Sequence, residues 1–204
     1  MALMLYYDDM IRRRSTRRGF TVVELAFVIV ILALLVLIAV TGYNGLRDRS
    51  YNLKMVNGVK QYYEAVETYK AKYGHYPQTS IERDNPTATV ALTCLGTGYV
   101  GGGCGSVTYT NVYENSYFNS LMEPLIENPP ALGELKIDVQ PETFTGAVYG
   151  IDHTITGGTG YGRTIQWALI GEDADCKVPG VYSYRVSSTP PTTACEILLE
   201  PVVR

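Results

Sequence analysis

The stretch that decides the fold runs from Arg17 to Val40 and reads RRGFTVVELAFVIVILALLVLIAV. From Phe20 onward, 19 of its 21 residues are hydrophobic, and the last 16 form an unbroken apolar run. As an α-helix this segment is about 31 Å long, close to the hydrocarbon thickness of a bilayer. Soluble cores rarely contain such runs, so the segment predicts a membrane-spanning helix rather than a buried soluble one.

Charge is distributed unevenly along the 204-residue chain. Residues 1–19 carry a net charge of +3, residues 41–204 carry −5, and the whole chain carries −3. Positive charge before an apolar span holds that end in the cytoplasm, so the chain after the span is predicted to be exported. A net negative charge argues against indiscriminate nucleic-acid binding, and no stable nucleic-acid partner is predicted.

Two residues distinguish this segment from an ordinary secretory signal. Gly19 stands at the boundary between basic and apolar residues, and Glu24 is the one charged residue between Phe20 and Val40. A carboxylate inside a membrane span costs about 2.5–3.5 kcal/mol on insertion scales, which indicates a specific role. No clear A-x-A cleavage pattern follows the apolar segment, as a conventional signal peptide would require.

The run from Arg17 to Leu25 resembles the class III signal of type IV pilins and type II secretion pseudopilins. It has a basic leader, Gly, Phe, a hydroxyl residue, two aliphatic residues and Glu before the apolar helix. The resemblance implies that a prepilin peptidase cleaves between Gly19 and Phe20 and methylates the new amine, while the helix is retained.

The resemblance also implies a role for Glu24 in assembly. In a bundle of subunits, its carboxylate is expected to pair with the Phe20 ammonium of a neighbour, neutralising two charges that are unfavourable in an apolar core. The alternative is that Glu24 only stabilises the positive end of the helix dipole.

The helix is predicted to continue past the span, from about Phe20 to Tyr73. Apolar residues recur at helical spacing without an intervening Pro, and Gly74 and Pro77 provide the stop. The apolar positions are Leu46, Leu53, Val56, Val59, Tyr63, Val66 and Tyr73. Residues 69–77 also resemble the Y-x4-G-x-Y-P segment of many pilins and of the major pseudopilin.

Beyond residue 143 the sequence carries strand signals. Strands are predicted at Thr145–Ile151, Arg163–Ile170 and Val181–Val186, with a shorter one near Cys195–Leu199. The predicted class is α+β: a long N-terminal helix, hydrophobic in its first half and amphipathic in its second, packed on an antiparallel sheet of about four strands. The resemblance implies the same type IV pilin fold.

The sequence predicts five segments. These are a basic leader at 1–19, a hydrophobic helix at 20–42, an amphipathic helix at 43–77, an αβ-loop region at 78–143, and a sheet with a C-terminal disulfide loop at 144–204.

Four cysteines lie on the side predicted to be exported: Cys94, Cys104, Cys176 and Cys195. An even number in an oxidising compartment predicts two disulfides, for which three connectivities exist. Proximity in sequence favours Cys94–Cys104 and Cys176–Cys195. The competing interpretation, a zinc site, lacks a C-x2-C spacing.

Two further features are candidates for chemical sites. Glu172, Asp173 and Asp175 form an acidic loop, and some pseudopilins resembling this chain use a calcium loop in this region; a solvated acidic turn is the favoured alternative. His75 has no nucleophile, base or orienting group spaced around it, so no enzyme activity is predicted. Apart from the candidate calcium site, no cofactor is predicted.

Taken together, these features predict a structural subunit of a type IV pilus. The subunit is first held in the inner membrane with a cytoplasmic N-terminus, and then forms a cell-surface filament for adhesion, twitching motility or DNA uptake. The alternatives are a type II secretion pseudopilin of a short periplasmic piston and, more remotely, a signal-anchored secreted binding protein. The implied partners are other copies of the chain, minor pilins, prepilin peptidase, and the assembly platform and motor.

Overall fold

The computed structural model describes residues 19–105, 112–139, 142–153, 161–188 and 190–202. Residues 1–18 of the predicted leader therefore lie outside the described part. The chain separates into two compact units, Met1–Gly45 and Leu46–Arg204, and the second unit is called the head below.

Helix α1 spans Val22–Tyr73, so the predicted long helix is confirmed. It begins at Val22 because Thr21 is the N-cap residue: the Thr21 hydroxyl accepts a hydrogen bond from the Glu24 N–H. It ends at Tyr73, where Gly74 adopts the left-handed φ of +79° and donates its N–H to the Lys70 carbonyl at 2.8 Å. Glycine tolerates this conformation, which stops the helix.

Within the head, one face of α1 packs into the core. This face carries Tyr51, Met55, Val59, Tyr62, Val66 and Tyr69. Of the apolar positions predicted from sequence, Val56, Val59 and Val66 are buried, but Leu46 and Leu53 are 67% and 51% exposed. Buried tyrosines, rather than these two leucines, complete the inward face of α1.

Among the described residues, the sheet is antiparallel and has five strands rather than about four. They are β1 at Ala91–Leu95, β6 at Ala147–His153, β7 at Tyr161–Ile170, β8 at Val181–Ser188 and β9 at Pro191–Val202, and they lie in the order β1-β6-β7-β9-β8. The extra strand, β1, lies in the region predicted as an αβ-loop and pairs with β6. All five of its residues are buried, so its sequence lacks the alternation that marks a half-buried strand.

Smaller elements fill the chain between α1 and the sheet. They are the helices α2 at Ser80–Asp84 and α3 at Ser116–Met122, the paired strands β2 at Gly103–Cys104 and β3 at Val112–Tyr113, and the paired strands β4 at Lys136–Val139 and β5 at Glu142–Thr145. Short 3₁₀ turns occur at Val100–Gly102 and Leu132–Glu134.

The Asn52 side chain joins α1 to the end of β7. Its amide nitrogen donates to the Ile170 carbonyl at 2.7 Å, and its amide oxygen accepts the Ile170 N–H at 2.9 Å. One side chain therefore satisfies both the N–H and the carbonyl of Ile170. In a sheet, a neighbouring strand would form these two hydrogen bonds.

A buried ion pair joins α2 to β7. Arg163 donates to Glu82 through both terminal nitrogens, at 2.6 and 3.2 Å, and the Glu82 carboxylate also closes the capping box of α2 by accepting the Thr79 N–H. Arg163 further donates to the Tyr149 hydroxyl and to the Pro77 carbonyl. Burial by itself lowers the pKa of the Arg163 guanidinium, but its bonds to Glu82 and Tyr149 outweigh burial and raise that pKa.

Candidate functional site

The N-terminal end of α1 is closed by a capping box formed within one chain. The Glu24 carboxylate accepts hydrogen bonds from the Thr21 N–H at 2.8 Å and from the Thr21 hydroxyl at 2.9 Å. In return, the Thr21 hydroxyl oxygen accepts the Glu24 N–H at 3.1 Å. Reciprocal bonds of this kind satisfy two backbone donors that a helix N-terminus otherwise leaves open.

Gly19 and Phe20 precede this cap and lie outside the helix. Phe20 is 81% exposed. Among the described residues, no heavy atom beyond the chain neighbours lies within 4 Å of where a Gly19 Cβ would stand. The fold therefore does not require glycine at position 19, and the bond between Gly19 and Phe20 is open to an external enzyme.

An exposed apolar surface follows the cap. Every large hydrophobic side chain from Val22 to Val40 is exposed in the single chain. By length and composition, α1 is able to cross a membrane. Exposed apolar area on this scale needs a lipid or protein environment, because water contact with it is unfavourable.

Comparison with known proteins identifies the same segment. A family model described as the prokaryotic N-terminal methylation motif matches residues 14–40, which include the predicted cleavage site and Glu24. This match, together with the similarity described next, supports the resemblance to pilins and pseudopilins.

The chain is also similar to a protein named type II secretion system core protein G from Klebsiella michiganensis. The two are 34% identical over 67 residues, which cover 33% of this chain and 47% of that protein. The chain thus matches a little under half the length of that relative. No solved structure matches the chain.

The methylation motif and the apolar helix fit the membrane anchoring that precedes filament assembly in the pilin and pseudopilin superfamily. The residues of the motif, Gly19, Phe20 and Glu24, lie within six consecutive positions at one end of α1, and the cysteines and the acidic loop lie in the head.

The structure pairs Cys94 with Cys104 and Cys176 with Cys195, and leaves no free cysteine. This is the pairing that proximity in sequence favours. The first disulfide joins β1 to β2, and the second joins β9 to the loop after β7. All four cysteines are buried, so both bonds form part of the packed head.

The three acidic residues of the candidate calcium loop are not gathered around a common point. Among the residues that the structure describes, no group of three or more His, Cys, Asp or Glu side chains is able to hold a metal ion. The Asp175 carboxylate instead accepts the Lys177 N–H at 2.9 Å, and the neighbouring Asp173 has a φ of +53°. Calcium binding by Glu172, Asp173 and Asp175 stays a prediction without support from this geometry.

His75 lies just after α1 and forms local contacts. Its Nδ1 atom is 3.0 Å from the Tyr76 carbonyl oxygen, and its ring meets the Tyr69 ring edge-on at 5.7 Å. These contacts indicate that His75 packs against the end of α1.

One surface feature is not predicted by any local motif: a groove of about 470 Å³ between α1, α3 and the segment after β1, called the acidic groove below. Tyr62, Met122 and Ile126 line it and are themselves buried, while Glu123 and Glu127 line it and are exposed. The groove joins residues 62, 96–97 and 116–129, and their proximity follows only from the fold. A sequence clue exists in the absence of any Lys, Arg or His between Arg83 and Lys136.

Proposed function

We propose that this chain is a prepilin that is processed after Gly19 and polymerises through α1 into an extracytoplasmic type IV pilus. The observation that carries the proposal is the exposed apolar surface of Val22–Val40, which contains the capping residue Glu24 near its start and is preceded by the accessible Gly19–Phe20 bond. Lipid covers this surface before assembly, and the same surface of neighbouring subunits covers it afterwards. The chain then moves from one apolar environment to another with little change in hydration.

Cleavage after Gly19 creates a positive charge next to the negative one. The new Phe20 ammonium and Glu24 are four residues apart in one chain. Because the capping box already engages Glu24 through Thr21, a neighbour's ammonium has to approach a carboxylate that is held at the helix end. Pairing across chains would set the axial register of the helices and neutralise both charges.

The proposed role is mechanical, and the energy for assembly comes from a separate motor. The partners proposed for this chain are other copies of itself, minor pilins, prepilin peptidase, and an assembly platform with its motor. The proposed locations are the cytoplasmic membrane, with the N-terminus inside, and then the cell surface. Adhesion, twitching motility and DNA uptake are the functions that such a filament would serve.

The first experiment sequences the mature N-terminus of the chain expressed with a prepilin peptidase. We expect a chain that starts at methylated Phe20 and retains the apolar helix. Gly19→Leu is the matched variant: the fold has space for it, so uncleaved precursor should accumulate in the membrane with a normally folded head. A mature chain that starts after residue 40 would instead indicate an ordinary secretory signal and contradict the proposal.

A second candidate is a pseudopilin of a type II secretion system, because the similar Klebsiella michiganensis protein carries that name. In that role the chain would form a short periplasmic piston rather than a surface filament. The two machines make different products, so electron microscopy of cells with and without the gene distinguishes them. Long surface filaments that disappear with the gene favour the pilus; loss of protein secretion without loss of filaments favours the pseudopilus.

A further inference from the structure

The acidic groove combines an apolar floor with negative charge. Met122 and Ile126 are almost fully buried at its base, and the exposed carboxylates of Glu123 and Glu127 line the same groove. No basic residue occurs between Arg83 and Lys136, so nothing from this part of the chain neutralises the two carboxylates. Such a surface suits a segment that presents apolar side chains beside a positive charge.

The head carries a segment of this kind on α1. Leu46, Arg49 and Leu53 are spaced i, i+3 and i+7, which places them along one side of a helix, and all three are exposed. This set is called the Leu–Arg–Leu stripe below. Within the described residues, Arg49 forms no ion pair, although Glu172, Asp175 and Lys177 line the surface beside it.

The stripe and the groove cannot meet within one chain. Leu53 and Tyr62 are nine residues apart, which is about two and a half helical turns, so their side chains leave α1 on opposite sides. When one surface of a subunit binds a different, complementary surface of the next subunit, the contact is heterologous. Repetition of a heterologous contact that does not close into a ring generates an open filament.

We propose that the acidic groove of one head binds the Leu–Arg–Leu stripe of a second copy. The leucines pack on the groove floor, and Arg49 pairs with the carboxylates of Glu123 and Glu127. This inference rests on the proposed filament function and adds to it a head-to-head contact that is separate from the apolar helix and Glu24. The five exposed groups of the two surfaces, three in the stripe and two in the groove, acquire partners in the filament.

Reciprocal charge changes in the full-length chain test the proposal in cells that assemble the parent filament. We expect Arg49→Glu alone, or Glu123→Arg with Glu127→Arg, to lower filament yield about tenfold or more through like-charge repulsion. The combination of all three changes should restore the yield to within about threefold of the parent. Lys72→Glu is the matched control: it makes the same change of charge at an exposed position of α1 that lines neither surface, and should assemble like the parent.

Cysteine cross-linking gives an independent readout. The native cysteines are all paired, so new thiols report only new contacts. Leu53→Cys in the stripe and Ser120→Cys in the groove, combined in one chain, should give a ladder of covalent multimers on mild oxidation of filaments. Either change alone should give no ladder. The control pair Leu53→Cys and Lys72→Cys, whose second thiol lies on an exposed position of α1 outside the groove, should give none either.

The outcomes separate this inference from the proposed function. Parent filaments together with normal assembly of the charge variants and no ladder would overturn the head-to-head contact and leave the filament function standing. Failure of the triple variant to recover, with an unchanged melting temperature of the head, would overturn it as well. If the parent chain assembles into no filament or piston at all, the proposed function fails and this contact fails with it.

Discussion

At Glu24, one carboxylate has two roles that a single substitution can separate. In the isolated chain it caps α1 by accepting the Thr21 N–H, and in the proposed filament it provides negative charge for a neighbour's Phe20. A capping box accepts Gln in place of Glu at this position, because the side-chain amide oxygen also accepts a hydrogen bond. Charge pairing does not tolerate that change.

Glu24→Gln should therefore leave cleavage after Gly19 intact and abolish filament assembly. Thr21→Ala provides the control, since it removes the capping hydroxyl, keeps the carboxylate and costs about 1 kcal/mol at the helix end. We expect that variant to assemble. Mass spectrometry of the mature chain and filament quantification measure both steps. Full assembly of the Gln variant would show that Glu24 acts only as a cap.

Arg163 and Glu82 form the other residue-scale pair with a measurable consequence. Their side chains are almost fully buried and joined by two hydrogen bonds. Arg163→Leu leaves the Glu82 charge buried and unpaired, so it should lower the free energy of unfolding by about 3–5 kcal/mol.

Removal of both charges tests that interpretation. Glu82→Leu combined with Arg163→Leu should destabilise the head less than Arg163→Leu alone, because the other partner of Arg163, Glu200, has a partly exposed side chain and no buried charge is then left unpaired. Denaturant unfolding of the full-length variants in detergent gives both values. Equal losses in the single and double variants would indicate that lost packing, not the stranded charge, dominates.

At the scale of elements, the contact between α1 and β7 depends on Asn52. Asn52→Asp keeps a group of the same shape but replaces the donor that meets the Ile170 carbonyl with a charged acceptor. We expect a loss of about 1 kcal/mol in unfolding free energy, typical of a lost hydrogen bond, because the Ile170 carbonyl is only partly buried. Amide hydrogen exchange should become faster at the end of β7. Asn57→Asp, at an exposed position of the same helix, is the control and should leave the exchange there unchanged.

The elements differ in how far local sequence predicts them. Helix α1 followed from hydrophobic runs, a capping residue and a Gly stop, all of which act within a few residues. Local sequence did not predict strand β1, because its partner β6 lies more than 50 residues away. Its residues are also buried on both faces, so polar and apolar residues do not alternate along it. Gly150 carries a partial signal: its φ of +145° and its close approach to the Ala91 carbonyl exclude a side chain, but only the paired strands reveal why.

The candidate site residues and the long-range contacts divide in the same way. Gly19, Phe20 and Glu24 lie within one short motif, so the sequence alone singles them out. The acidic groove joins segments more than 60 residues apart, and the Arg163–Glu82 pair spans 81 residues. Contacts of this range depend on the complete fold, which no local pattern encodes.

At the scale of the molecule, the two disulfides restrain the unfolded head. Cys176–Cys195 spans 19 residues, for which chain entropy gives a stabilisation of about 3 kcal/mol. Cys176→Ser with Cys195→Ser should lower stability by roughly that amount and leave Cys94–Cys104 intact. Peptide mapping under non-reducing conditions checks the remaining bond. A mixed Cys94–Cys176 linkage in the parent chain would contradict the pairing.

Alkaline pH should destabilise the head as a whole because it buries tyrosine hydroxyls. Burial raises the pKa of Tyr51, Tyr99 and Tyr149 above the usual value of about 10. For Tyr149, the nearby Arg163 guanidinium acts in the opposite direction but does not cancel the effect of burial. The neutral form is thus favoured in the folded state, and its contribution to stability is complete below about pH 10.

Above pH 10 the unfolded chain ionises these tyrosines while the folded head does not. The free energy of unfolding should then fall by up to about 1.4 kcal/mol per pH unit for each of the three residues. Urea titrations from pH 7 to 11 measure the slope, and tyrosinate absorbance should rise together with unfolding rather than before it. Tyr51→Phe is the sharpest test, because the Tyr51 hydroxyl forms only one long hydrogen bond, 3.5 Å to the Ala168 carbonyl. Its removal should cost little stability at pH 7. The dependence of the unfolding free energy on pH should become weaker by the contribution of one tyrosine. A slope unchanged by that substitution would mean that Tyr51 ionises equally in both states.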